Sequence, residues 1–137
     1  ASEEDCQKIY DFGVNIGIGF QLKDDLLDVF ADQAKFGKQV GGDILSNKKT
    51  LLFLKAKTIA EQTSDPRFEQ LIQLEANAGK IAQAKQLFEE TGAKAATLDT
   101  MNAYYDQAMT NLEQLEAKGL KTQALHGLAH FLITREL

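Results

Sequence analysis

Cysteine is almost absent: Cys6 is the single one in 137 residues. No intramolecular disulfide can therefore staple the chain, and a reducing compartment is expected. Proline is as scarce, with Pro66 alone to break a helix, while Ala- and Glu-rich helix formers are plentiful. That balance predicts an all-α protein. No apolar run approaches the roughly 20 residues needed to cross a bilayer, so no transmembrane segment is expected. A basic excess is missing too: 15 Lys and Arg against 20 Asp and Glu leave a net charge of −5. A nucleic-acid or anionic-membrane partner is not expected on that balance. The opening residues Ser2-Glu3-Glu4-Asp5 are acidic where a leader peptide would be basic, so a cytoplasmic location is expected. What remains, 44% hydrophobic and 26% charged, suffices for one domain over residues 1–137 and excludes a disordered tail.

Ser2 and Asp5, three residues apart, read as a helix start. From there to about Phe30, Ile9, Phe12, Val14, Ile16, Ile18, Phe20, Leu22, Leu26, Leu27, Val29 and Phe30 leave little solvated face. A helix apolar nearly all round belongs at the centre of a bundle. A glycine-bearing connection runs from Ala31 to about Asn47, and Ser46 or Asn47 is placed to cap a second helix reaching about Gln62. Asp65-Pro66 starts a short helix to about Asn77, closed by Gly79. Further helices are expected over Lys80–Glu90, Ala93–Lys118 and from Leu120 towards Arg135, with Gly92 and Gly119 as stops. The total is about six helices and no strand.

Charge on the first helix is concentrated unusually. At about 100° per residue, Gly13, Gly17, Gln21, Asp24 and Asp28 share a stripe about 80° wide, with Asp25 to its side. Three aspartates within five residues of an apolar helix carry a heavy desolvation cost and repel one another. A cation would relieve both costs, and oxygen-only ligands favour a hard ion such as Mg²⁺. An exposed acidic patch accounts for the aspartates equally well. The next segment tips the balance: Phe36-Gly37-Lys38-Gln39-Val40-Gly41-Gly42-Asp43 through Asn47-Lys48-Lys49-Thr50 sets ammonium groups and a further carboxylate directly after the helix. Lysines beside a magnesium–carboxylate site can hold diphosphate oxygens, and Asp43 can hold a metal-bound water. Surface lysine is the plain alternative for Lys38 and Lys48.

Phe12-Gly13, Gly17, Phe20-Gln21, Asp24-Asp25-Leu26-Leu27-Asp28, Phe36-Gly37-Lys38, Gly41-Gly42-Asp43-Ile44 and Asn47-Lys48-Lys49-Thr50, in this order, resemble the trans-isoprenyl diphosphate synthases, the polyprenyl synthetases. The matching spacing covers roughly residues 1–55, and the Leu128–Arg135 stretch also resembles that family's carboxyl terminus. The family carries two aspartate-rich motifs facing each other across a helical cavity. This sequence contains only the second, so the resemblance implies the C-terminal half of an isoprenoid-synthase helical bundle.

The resemblance further implies a prenyltransferase that adds isopentenyl diphosphate to an allylic diphosphate with Mg²⁺, Mn²⁺ being a substitute. It implies a homodimer for the intact enzyme and inactivity for this half alone. Asp24 would be the direct metal ligand, and Asp28 and Asp43 would act through water. Asp25 is the outlying member of the metal set. Lys38 and Lys48 would grip the diphosphate, and Gln21 would turn its amide oxygen towards the cation. The alternative is a noncatalytic helical subunit or interaction module that kept the fold and lost the first motif. With the other half absent, one side of the apolar first helix is expected to be exposed.

Other features carry less. His126 and His130 stand four apart, but no third ligand is apparent, and helix-surface histidines are expected. Gly79-Lys80 lacks the Ser/Thr of a P-loop, and Gly17-Ile18-Gly19 lies inside a helix. Cys6 has no base nearby in sequence.

Overall fold

A computed structural model of the chain describes residues 2–31 and 40–134. Seven helices and no strand lie among the described residues. They are α1 (Glu3–Phe30), α2 (Gly42–Leu45), α3 (Leu51–Thr63), α4 (Arg67–Ile72), α5 (Ala78–Glu90), α6 (Ala93–Ala117) and α7 (Gln123–Thr134). The all-α expectation holds, with α2 added inside the expected connection. No helix of the described residues is long and apolar enough to cross a membrane. The chain divides into two compact units, one of residues 1–21 with 100–136 and one centred on residues 22–99.

In the first unit, α1 opens as its sequence predicts. Asp5 N–H donates to Ser2 Oγ at 3.1 Å, and Ser2 N–H donates to Asp5 Oδ2 at 3.3 Å. This is the reciprocal capping box, built with Asp in place of Glu. The Lys118 ammonium, 3.3 Å from Glu4 and 3.2 Å from Asp5, ties the end of α6 to this turn. Phe12, Ile16, Met101, Tyr105, Ala108, Leu112, Leu115 and Ala129 form the buried apolar set. A Cβ at Gly19 would fall 2.6 Å from the Tyr105 ring, so this glycine lets an aromatic lie on the α1 backbone.

Helix α1 keeps one apolar side in solvent. Ile9, Tyr10, Val14 and Ile18 are exposed, and nothing stands within 4 Å of a Cβ at Gly13 or Gly17. Among the described residues of the unit, this apolar face stays partly open to solvent.

Helix α6 stops where Gly119 takes φ +81°. Helix α7 then starts at Gln123, three residues later than expected, with Thr122 O accepting its first hydrogen bond from His126 N–H at 2.9 Å. The Thr122 hydroxyl donates to Glu116 Oε1 at 2.7 Å, the same oxygen that pairs with His126 Nε2. His126 and His130 are helix-surface residues, as expected.

In the second unit, α5 packs on α2, α3 and α4, and α4 packs on α3. Phe53 and Phe68 meet edge to face at 5.0 Å, and Leu52, Ala56, Ala60, Leu71, Ala84, Leu87 and Phe88 complete the core. The cap of α3 is Thr50, whose Oγ1 accepts from Phe53 N–H at 3.1 Å, not Ser46 or Asn47. Those two close α2 instead.

Asp65 does act at the start of α4, its Oδ1 accepting Arg67 N–H at 2.9 Å. The Arg67 guanidinium grips the same carboxylate and reaches Glu90 at the end of α5, and these two acids raise its pKa. Helix α4 ends at Ile72 rather than near Asn77, because Asn77 caps α5 by accepting Lys80 N–H at 3.2 Å. Gly79 therefore sits inside α5 and closes nothing.

Gly41 takes φ +95°, and a Cβ there would fall 2.5 Å from Ile81 Cδ1. Gly41→Ala is expected to cost about 2–4 kcal/mol, combining left-handed strain with overpacking. Ile81→Ala in that background should recover the steric part only. Thermal melts of the single and double variants check both.

Candidate functional site

The end of α1 is where the chain folds back. Ala31 and Val40 pack with Leu27 in one buried cluster, which brings Val40 beside the last turns of α1. Gly41 N–H then donates to the Asp28 main-chain oxygen at 2.6 Å. Two residues on, Asp43 N–H donates to Asp28 Oδ2 at 2.9 Å. The Asp28 carboxylate thus meets the first turn of α2, where N–H groups lack helical partners. The glycines permit this approach, because Gly41 alone can take the backbone angle that aims α2 at Asp28.

Asp43, in the first turn of α2, brings a second carboxylate to the same place. Lys48 stands across it, Nζ 3.8 Å from Asp43 Oδ1, its own side chain mostly in solvent. Burial pushes the Asp28 carboxyl above its usual value, and the negative charge of Asp43 adds to this. The N–H groups of Asp43 and Gly42 and the charge of Lys48 pull it back. The structure therefore brings Asp28, Asp43 and Lys48 together.

The other predicted residues are disposed differently. Asp24 is half-buried one turn before Asp28 on α1. Asp25 is buried, as is Lys23. Gln21 is exposed on the same helix. Lys38 lies outside the described residues.

No group of three or more His, Cys, Asp or Glu side chains among the described residues is arranged to hold a metal ion. The pair Asp28 and Asp43 offers oxygen donors only, which suits a hard divalent ion. Two carboxylates leave most of such an ion's shell to other oxygens, phosphoryl oxygens among them. Asn47 and Thr50 lie in the motif, but its spacing predicts neither the left-handed turn at Asn47 nor the helix cap at Thr50. At φ +53° Asn47 closes a four-residue helix, which has no periodicity to announce its end.

These features make an all-helical fold with an acidic, lysine-flanked end of a long helix. The comparisons make this specific. The family model described as Polyprenyl synthetase matches residues 1–91. A geranylgeranyl diphosphate synthase of Sulfolobus acidocaldarius is 34% identical over 141 aligned residues, covering 98% of this chain and 41% of that protein. A short chain isoprenyl diphosphate synthase of Methanothermobacter thermautotrophicus is also 34% identical, with the same two coverages. The crystal structure of a geranylgeranyl pyrophosphate synthase superposes with a TM-score of 0.76 at 35% identity, over 96% of this chain and 41% of that one. The chain belongs to the polyprenyl synthetase family, and it matches the C-terminal part of its relatives. It spans about two fifths of their length.

The raised pKa of Asp28 has a sign that stability measurements can read. A carboxyl raised on folding binds its proton more tightly in the folded chain, so metal-free stability falls as pH rises from the unfolded value through the folded one. Asp28→Asn keeps an oxygen for Asp43 N–H and removes the charge. In chelator at neutral pH its melting temperature is expected to equal or exceed that of the unaltered chain, and its pH slope just above the ordinary aspartate range should flatten.

Proposed function

We propose that this chain carries the second aspartate-rich side of a trans-prenyl transfer site, which joins isopentenyl diphosphate to an allylic diphosphate. The observation that supports it most is the convergence of Asp28, Asp43 and Lys48 at the end of α1 and the start of α2. Relatives printed as geranylgeranyl and geranylfarnesyl diphosphate synthases support the reaction class. The bound divalent ion, Mg²⁺ with Mn²⁺ as substitute, supplies Lewis-acid stabilisation of the charge left on the departing diphosphate.

The chain's own residues orient and neutralise. Asp24 would ligate the ion directly, Asp28 and Asp43 would act through water, and Asp25 would support from the side. Gln21 turns its amide oxygen towards the developing cation. Lys38 and Lys48 hold diphosphate oxygens as mobile point charges. Residues 1–137 act as one all-helical segment of a cytoplasmic, homodimeric enzyme, with no nucleic acid as partner.

A second reading, a noncatalytic helical subunit, draws on the incomplete carboxylate set among the described residues. In a full-length synthase containing this chain, Asp24→Ala is expected to lower turnover about 10²–10³-fold while helix content by circular dichroism stays unchanged. Undiminished turnover refutes the assignment. The chain alone is expected to give no prenyl transfer and weak, Mg²⁺-dependent binding of inorganic pyrophosphate by calorimetry.

A further inference from the structure

Two helices of this chain end in the same way. At the end of α6, Gly119 has φ +81°, its N–H donates to Glu116 O at 2.8 Å, and Leu120 N–H donates to Leu115 O at 3.2 Å. At the end of α2, Asn47 has φ +53°, its N–H donates to Ile44 O at 3.1 Å, and Lys48 N–H donates to Asp43 O at 2.9 Å. Both are the paired closure in which the residue after the cap turns left-handed. Glycine takes that conformation without a Cβ clash, and asparagine is among the few others that tolerate it.

Asn47 adds an anchor that glycine could not. Its Nδ2 donates to Ile72 O at 3.2 Å, a carbonyl in the last turn of α4 with no intrahelical partner. The turn is therefore fastened to a second helix.

Lys48 inherits the geometry. The closure folds it back over Asp43, with N–H on the Asp43 carbonyl and ammonium beside the Asp43 carboxylate. Thr50 N–H donates to Lys48 O at 2.9 Å, and Thr50 Oγ1 caps α3. The Lys48 main chain is held on both sides while its ammonium stays in solvent. An extended residue at position 47 would send Lys48 onward, away from Asp43.

We infer that Asn47 is a positioning residue: its left-handed backbone, fastened to α4, sets where the Lys48 ammonium stands beside Asp43 and hence how tightly a diphosphate is held. This rests on the reading of Lys48 as a diphosphate grip, and the test separates the two claims. The 137-residue chain is titrated with Mg²⁺–pyrophosphate, and amide exchange at Lys48 is followed by NMR. Asn47→Ala is expected to speed Lys48 amide exchange about tenfold and to weaken pyrophosphate binding, with helix content unchanged. Asn47→Gly, which keeps the left-handed turn, should recover most of both. If the alanine chain does not fold, Asn47→Ser serves in its place.

Lys48→Met is the control, expected to weaken binding about tenfold or more without changing exchange at Thr50. Asn47→Ala with unchanged exchange and affinity, or Asn47→Gly as poor as Asn47→Ala, overturns the positioning role. Lys48→Met that binds as well as the unaltered chain overturns the grip instead. Absence of any Mg²⁺-dependent binding by the unaltered chain also counts against the grip, and Lys48 exchange then decides the role of Asn47 in placing it.

Discussion

Two hydrogen bonds into Asp28 hold the candidate site together. Its main-chain oxygen takes Gly41 N–H and its carboxylate takes Asp43 N–H, so one residue receives the returning chain twice. Without that double attachment, α2 would have no fixed relation to the last turn of α1. Asp43 and Lys48 would then be surface residues of a loop. The attachment depends on Gly41, which turns left-handed against Ile81 where a side chain would collide. Burial of Asp28 has an electrostatic cost, visible as a raised carboxyl pKa.

Helix endings do more here than stop helices. Gly92 and Gly119 make left-handed exits where the sequence announces them. Ser64 and Asn47 make the same kind of exit without glycine. In each case the turn sends the chain back towards the helix it leaves, and the next polar residue is put to use. Asp65 receives Arg67, and Lys48 faces Asp43. The polar framework of the second unit is thus organised by turns, while α3, α4 and α5 supply the apolar core beneath.

Much of this was legible beforehand. The capping box at Ser2 and Asp5, the stops at Gly92 and Gly119 and the all-helical class follow from local chemistry that acts within a turn or two. The grouping of Asp28, Asp43 and Lys48 was legible for a different reason, since the whole motif lies within a short stretch of chain. Boundaries set by competition were not. Ser46 and Asn47 are good caps for a following helix, yet they close α2, and Thr50 takes the cap of α3. Asn77 could have ended α4 but starts α5, which leaves Gly79 inside a helix. Propensity alone does not say which of two neighbouring helices a polar residue serves.

The order of residues settled the helical class, the family resemblance and the identity of the acidic and basic groups, because these rest on periodicity and on spacing along the chain. Packing settled the rest. Which face of α1 is bare, Gly19 as the seat of the Tyr105 ring and Asn47 fastened to the end of α4 all involve residues far apart in the chain. Such pairings arise only when separate helices come within van der Waals or hydrogen-bond reach, and no local pattern encodes that distance.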